Sequence, residues 1–334
     1  MTPRGIARAV AAGELVRLRT GRFIAAAAWA EARPEARHLV ALAAAQCESS
    51  KRILSHRSAA TLHGLPVWSR WLADEPGPDD ERWLEEPLTV HTSGLALRGG
   101  TASPLHIRHR DALEPEDVVA VNGFACTTPE RAVADVARSE PFPIALACAD
   151  ALLRTTLRNG RAVDHDGWQA WRRRTLERVE QRPGQPGNRA LRAIAYLADP
   201  RADSPLESAS RLRLLQCGIE FEVQKRVRGT DGRTYYPDFW LTVEEIFGEC
   251  DGRVKYVDEE MRGGSGADDV WFDEKLRHDA IGGALGRRGI RWAARHVTTV
   301  ERFAAHLRSL GVTVPGRASR TLGVELACFL DALP

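Results

Sequence analysis

Tyr236-Pro237-Asp238-Phe239, followed by Gly248-Glu249-Cys250-Asp251-Gly252, is the stretch whose reading decides the fold. A Pro-Asp pair opens one strand-like run, and Glu-x-Asp closes the next. Side chains alternate along a strand, so Glu249 and Asp251 point the same way and Cys250 the other. Upstream, Ser204-Pro205-Leu206-Glu207-Ser208 opens a helix, with proline in the first turn where its missing N–H costs nothing. Folded together, Glu207, Asp238, Glu249 and Asp251 would bring several carboxylates to one edge of a small sheet. Phosphodiester hydrolysis needs a metal to neutralise phosphate charge and activate water. Mg²⁺ suits a few carboxylates plus water. Asp238 and Glu249 are suitable ligands for Mg²⁺ or Mn²⁺, and Glu207 could hold a metal-bound water or a second ion. Nucleic acid is the substrate or partner this chemistry implies.

A lysine two residues after the glutamate normally completes such a site by stabilising developing charge; here Asp251 takes that slot. The basic residues are nearly all arginine, and the lysines are Lys51, Lys225, Lys255 and Lys275. In so arginine-biased a chain, a surviving lysine is a candidate for a specific role. Lys255 and Lys275 are the candidate replacements, and Glu207, Asp238, Glu249, Asp251, Lys255 and Lys275 form the catalytic set.

The surrounding pattern reads as αβββαβ. A helix over 204–217 is followed by a strand over 221–224 and a turn at Gly229-Thr230-Asp231-Gly232. Strands over 236–242 and 246–251 come next, then a helix over 272–285 and a last strand over 290–293. Each carboxylate alone has an ordinary structural explanation, such as a turn at Asp251-Gly252 or a helix-start carboxylate at Glu207. Their ordered appearance in one pattern carries the argument.

On these residues, the segment 204–312 resembles the bacterial domains related to the very-short-patch repair endonuclease. Those domains carry Glu-x-Asp-Gly-x-x-His. This chain has Glu249-Cys250-Asp251-Gly252-Arg253-Val254-Lys255, with lysine in place of histidine. Glu274-Lys275-Leu276-Arg277-His278-Asp279 is similar to the family's Glu-Lys-x-Arg-x-Asp helix, and Gly289-Ile290-Arg291-Trp292 to its closing strand. The resemblance implies a PD-(D/E)XK fold.

The segment 1–155 resembles the antitoxin component of AbiE-type abortive-infection systems (AbiEi). It does so through Arg19-Thr20-Gly21-Arg22-Phe23, the run from Ser55 to Pro66 (SHRSAATLHGLP), and the run from Thr127 to Asp135 (TTPERAVAD). That resemblance implies DNA binding through a winged helix and repression of an operon. A helix and a Thr-Gly hairpin over 1–30 read as a partial winged helix, with Arg17, Arg19 and Arg22 as DNA-facing candidates. Arg172-Arg173-Arg174, in an amphipathic run, are further candidates against the alternative of a solvated helix. His56 and His63 are seven apart, not the spacing that places two imidazoles on adjacent turns, so packing explains them better. No nucleophile-elbow motif supports a Ser58/His56 pair.

The 334 residues allow two or three domains. The expected division is a partial winged helix over 1–33, a mixed α/β domain over 34–182, the nuclease-like domain over 189–312 and a tail helix over 313–334. The fold class is α/β (α+β). The net charge of +2 confines any nucleic-acid surface to a local patch. The six cysteines show no C-x-x-C spacing, which argues for free thiols in a reducing cytoplasm. No secretory leader and no membrane-length apolar run is visible. Three functions compete: a Mg²⁺-dependent DNA endonuclease, a non-catalytic DNA-binding regulator of antitoxin type, and an antitoxin that neutralises a toxin protein by direct contact.

Overall fold

Local capping sets the helix starts in this computed structural model, which describes residues 1–46, 52–69, 72, 86–94, 101–251 and 267–334. Thr2, Thr128 and Ser204 each accept a backbone N–H at a helix start, and each is followed by proline. The chain is mixed α/β, as expected, and it groups into two units. One draws on residues 1–68, 76–140 and 182–191, the other on 69–75, 141–181 and 192–334.

In the first unit, α1 (Pro3–Ala11) leads into the antiparallel hairpin of β1 (Leu15–Arg19) and β2 (Arg22–Ala25). α2 (Ala26–Glu31) and α3 (Pro34–Gln46) follow. A mixed sheet is built from β3 (Ile53–Leu54), β4 (Val90–Gly94), β5 (Thr101–Ser103), β6 (His106–Ala112), β7 (Val118–Val121) and β8 (Phe124–Thr127), in the order β5-β6-β4-β3-β8-β7. α4 (His56–Leu62) follows β3, and α5 (Pro129–Ser139) follows β8. Asn122 and Gly123 take φ of 51° and 80°, as the two-residue turn between β7 and β8 requires.

The interior of this unit is partly polar. Leu42, Leu54, Val90 and Cys126 form an apolar cluster, yet α4 also buries His56, Arg57, Ser58 and Thr61. Buried polar groups cost free energy unless paired, and here pairing is extensive. Arg57 grips Glu140 with two bonds, Nε to Oε1 at 3.0 Å and Nη2 to Oε2 at 2.9 Å. Arg131 bonds Asp117 at 2.7 Å and Asp135 at 2.8 Å. His38 Nδ1 lies 2.7 Å from the Pro87 carbonyl, so it carries the proton, and Nε2 accepts from Ser58 Oγ at 3.0 Å. Ser58 Oγ in turn accepts from His91 N at 2.8 Å. The His56 and His109 rings stack at 3.4 Å, and His91 Nδ1 lies 2.9 Å from His109 Nε2. Burial lowers His38 to about 4, and burial followed by the charges of Arg57 and the neighbouring imidazoles takes His91 well below its ordinary value.

In the second unit, α6 (Phe142–Leu157) is followed by the small hairpin β9 (Arg158–Asn159) and β10 (Ala162–Val163). α7 (His165–Glu180), α8 (Asn188–Leu197, which crosses the boundary between the units) and α9 (Pro205–Cys217) come next. β11 (Phe221–Val223) precedes a short hairpin of β12 (Val227–Arg228) and β13 (Thr234–Tyr235). β14 (Phe239–Leu241), β15 (Ile246–Asp251), α10 (Ala267–Leu285) and β16 (Gly289–Ala293) then complete a sheet of order β11-β14-β15-β16. β11, β14 and β15 pair antiparallel, and β15 and β16 pair parallel. α11 (Val300–Ser309) and α12 (Val324–Asp331) end the chain.

This grouping differs from the sequence-based boundaries. α6 and α7, assigned to a domain over 34–182, group with the sheet that carries the carboxylates. The reason is α9, buried along nearly its whole length between α6, β15, α11 and α12. Arg211 on α9 bonds Asp150 on α6 at 2.6 Å, with both side chains at most 7% exposed. The tail over 313–334 belongs to the same unit, because Arg213 and Gln216 donate to the carbonyls of Pro334, Leu330 and Leu333.

Two outcomes follow for stability. Asp150→Ala leaves Arg211 buried without its counter-ion and lowers urea-unfolding stability by about 3–5 kcal/mol. His38 resists protonation when folded and accepts it when unfolded, so its contribution is lost as pH falls from 6.5 towards 4, by about 3 kcal/mol. Urea titrations at pH 7 and 4.5 measure that loss, and His38→Gln should remove it.

Candidate active site at the edge of the carboxylate strands

β15 brings the candidate residues together. Its register with β14 pairs Phe239 with Gly248, so Cys250 lies beyond the last paired residue of β14. The Asp238 carboxylate takes that place: Oδ2 accepts from Cys250 N at 2.9 Å and from Cys250 Sγ at 3.2 Å. Asp238 is thereby fixed at the end of the ladder, and its charge raises the proton affinity of both Glu207 and Glu249.

Glu207 approaches from α9. Its backbone N–H is capped by Ser204 Oγ at 3.2 Å, and its carboxyl turns back on the same corner. Oε1 accepts from Ser204 Oγ at 3.1 Å and Oε2 from Asp203 N at 2.9 Å. The side chain is buried, and burial, reinforced by the negative Asp238, pushes it up to about 8. Glu207 is therefore predominantly protonated at neutral pH in the folded chain.

Glu249 is engaged by guanidinium groups. Arg277 Nη2 from α10 lies 2.8 Å from Oε1, and Arg291 Nη2 from β16 lies 3.4 Å from Oε2. Arg291 also reaches Asp251, with Nη1 3.6 Å from Oδ2. That double contact agrees with Glu249 and Asp251 sharing one face, as strand alternation predicts. The parallel register, which places Arg291 opposite Glu249, makes it possible. Burial raises Glu249 while both arginines oppose the shift. Its Oε1, although in ion-pair range of Arg277, is buried and makes no aligned hydrogen bond.

The expected trio of metal ligands does not converge as drawn from sequence. Among the described residues, no three His, Cys, Asp or Glu side chains could hold a metal ion together. Strand geometry explains it: Glu207 folds back on its own cap, Asp238 holds the ladder end, and Glu249 leans on two arginines. The Asp238 and Glu249 carboxylate oxygens are donors of the type a hard cation takes, and Glu249 Oε1 makes no aligned hydrogen bond, although Arg277 and Arg291 stand beside Glu249.

Other expectations divide. Lys255 lies outside the described residues, and Lys275 lies on α10. Arg277 and Arg291, which sequence reasoning did not single out as site residues, are the cations found on Glu249. Arg277 stands in the Glu-Lys-x-Arg-x-Asp run, the one signal that pointed to it. Arg19 is not DNA-facing, because it is buried and donates to the Leu105 carbonyl at 2.7 Å. Arg17 and Arg22 are exposed on the β1–β2 hairpin. Arg172 is half-buried and donates to the Ala195 carbonyl at 3.0 Å, whereas Arg173 and Arg174 are exposed on α7. The cysteines among the described residues are free thiols. Among the described residues, no helix is long and apolar enough to cross a membrane.

The Glu207 shift has a defined sign. Its folded affinity for the proton exceeds the unfolded one, so stability falls as pH rises from about 4.5 to about 8. Thermal melts of wild type and Glu207→Gln across pH 5–9 should show the variant gaining relative to wild type as pH rises. A pH-independent gap would contradict the shift.

Comparison with known proteins gives two relatives, the uncharacterized proteins MT2308 and Rv2248 of Mycobacterium tuberculosis. Each is 31% identical over 158 residues, which cover 46% of this chain and 52% of theirs. The chain thus spans about half the length of the curated relatives it matches. No family model and no solved structure matches it.

Proposed function

We propose that the second unit is a PD-(D/E)XK-type domain acting on DNA, and that the chain is a metal-dependent endodeoxyribonuclease. The observation that supports this best is Asp238, fixed at the end of the β14–β15 ladder and close enough to raise the proton affinity of both Glu207 and Glu249. The αβββαβ order of the elements is the one this chemistry uses. Asp238 and Glu249 would hold Mg²⁺ or Mn²⁺, with Glu207 on a bound water. When bound, the ion supplies charge neutralisation at the phosphate and an activated water. Asp238 orients through Cys250, while Arg277 and Arg291 keep Glu249 in place and balance its charge. On this reading the first unit contributes DNA affinity, with the α1 and β1–β2 segment as its winged-helix-like part.

A second reading is favoured by specific contacts. Asp251 replaces the expected lysine, and Glu249 and Asp251 already have guanidinium partners. Such a site is what a retired nuclease fold would present, and the AbiEi-like first unit then makes the chain a DNA-binding regulator or an antitoxin with a toxin partner.

Supercoiled plasmid incubated with Mg²⁺ or Mn²⁺ separates the two. The nuclease reading expects nicking or linearisation by wild type, lost by at least about a hundredfold in Asp238→Ala and Glu249→Ala and abolished by chelator. Retained DNA binding without cleavage in either metal would support the regulator.

A further inference from the structure

In the second unit, the Arg161 guanidinium is held in a set orientation with no carboxylate partner among the described residues. Arg161, in the turn between β9 and β10, lies with its Cζ 3.9 Å over the Tyr236 ring, and its Nη1 donates to Gln224 Oε1 at 3.0 Å. It is exposed, and among the described residues it has no carboxylate partner. Other arginines around it are paired: Arg158 with Asp203 at 2.6 Å, Arg201 with Asp199 at 2.7 Å and Arg277 with Glu249 at 2.8 Å. An exposed arginine on a short hairpin ordinarily gains little from being held still. Here a ring and a side-chain amide both hold it.

Gln224 is the brace. Its φ of 51° lies in the left-handed region that non-glycine residues seldom occupy. Its N–H donates to the Asp238 carbonyl at 3.2 Å, and its Nε2 donates to the Arg201 carbonyl at 2.6 Å and to Asp203 Oδ2 at 3.2 Å. One strained residue therefore ties Arg161 to the backbone of Asp238 and to the segment just before α9, which carries Glu207. Backbone strain of this kind collects where geometry serves a ligand. The cleft beside it is lined by Asp199, Arg201, Glu207, Arg211, Gln224 and Asp238. Arg201 and Arg211 are already engaged by Asp199 and Asp150, so Arg161, without a carboxylate partner among the described residues, is a cation that a phosphodiester can still engage. An exposed planar guanidinium with N–H donors to spare matches phosphate oxygens in both charge and shape.

We propose that Arg161, seated on Tyr236 and braced by Gln224, is the phosphate-binding residue that guides a DNA strand into the carboxylate cleft. The proposal rests on the nucleic-acid reading of that cleft. Arg161 is a binding residue and Gln224 a positioning residue.

Fluorescence anisotropy with labelled single-stranded and duplex DNA tests it, in chelator and across a salt series, using the full chain. Arg161→Ala should weaken binding about tenfold and reduce the salt slope by about one. Arg302→Ala, an exposed arginine on α11, should change neither. Arg161→Lys, which keeps the charge but not the plane, should recover only part of the loss, and thermal melts confirm that the variants are folded. An unchanged affinity and slope in Arg161→Ala overturns the proposal, as does a wild type that binds neither DNA. The outcomes also separate it from hydrolysis. Arg161-dependent binding without cleavage keeps the guide and removes the nuclease. Cleavage with an unaltered KM in Arg161→Ala keeps the nuclease and removes the guide.

Discussion

The Asp238 carboxylate stands where the ladder between β14 and β15 stops, and the candidate site is arranged around that position. By accepting from Cys250 N and Sγ it replaces the next ladder contact, which holds a charged group at a sheet end that would otherwise fray. Two further carboxyls then meet its field. Glu207 responds by keeping its proton, and Glu249 is offset by Arg277 and Arg291. Like charges at short range cannot all remain ionised in a buried setting, so protonation and guanidinium pairing are the two routes available. Both are used here, protonation at Glu207 and guanidinium pairing at Glu249.

The same constraint operates in the first unit with different residues. α4 and α5 bury Arg57, Arg131, Asp135 and several imidazoles, and almost every group is met by a counter-charge or a hydrogen-bond partner. Such a network specifies one arrangement of the helices over the sheet, because a shift of either element would leave ions unpaired in a dry interior. The contrast lies at the second unit's cleft. There Arg161 is oriented but has no carboxylate partner among the described residues, and Gln224 carries backbone strain while holding it.

Much of the second unit was legible in the chain. The helix at Ser204-Pro205, the strand at Glu249 and the strand at Ile290 stand where periodicity and capping placed them. The strand read over 236–242 is shorter, Phe239–Leu241, which leaves Asp238 outside it, and the helix ending at Leu285 begins earlier, at Ala267. The turn at Asn122-Gly123 and the cap at Thr128-Pro129 rest on the local chemistry of two or three residues. The reading failed where long-range burial decides. Arg19 and Arg172 looked like surface cations, but each donates to a carbonyl brought in by another segment. The boundary at residue 182 missed the Asp150–Arg211 pair, which binds α6 to α9 across a long stretch of chain.

The sequence by itself determined which elements form, where they start and which side chains share a face, because those follow from the α and β periods and from capping chemistry. It thereby put Glu249 and Asp251 on one side of β15 and Glu207 in the first turn of its helix. Only the tertiary structure decided which charges meet. Arg277 and Arg291 reach Glu249 because a helix returns the chain to a strand parallel to β15, and that parallel register sets Arg291 opposite Glu249. Asp238 acts on both Glu207 and Glu249 from the sheet end, where the ladder stops one residue short of it. Electrostatic balance depends on distances across the fold, and those are properties of packing rather than of local sequence.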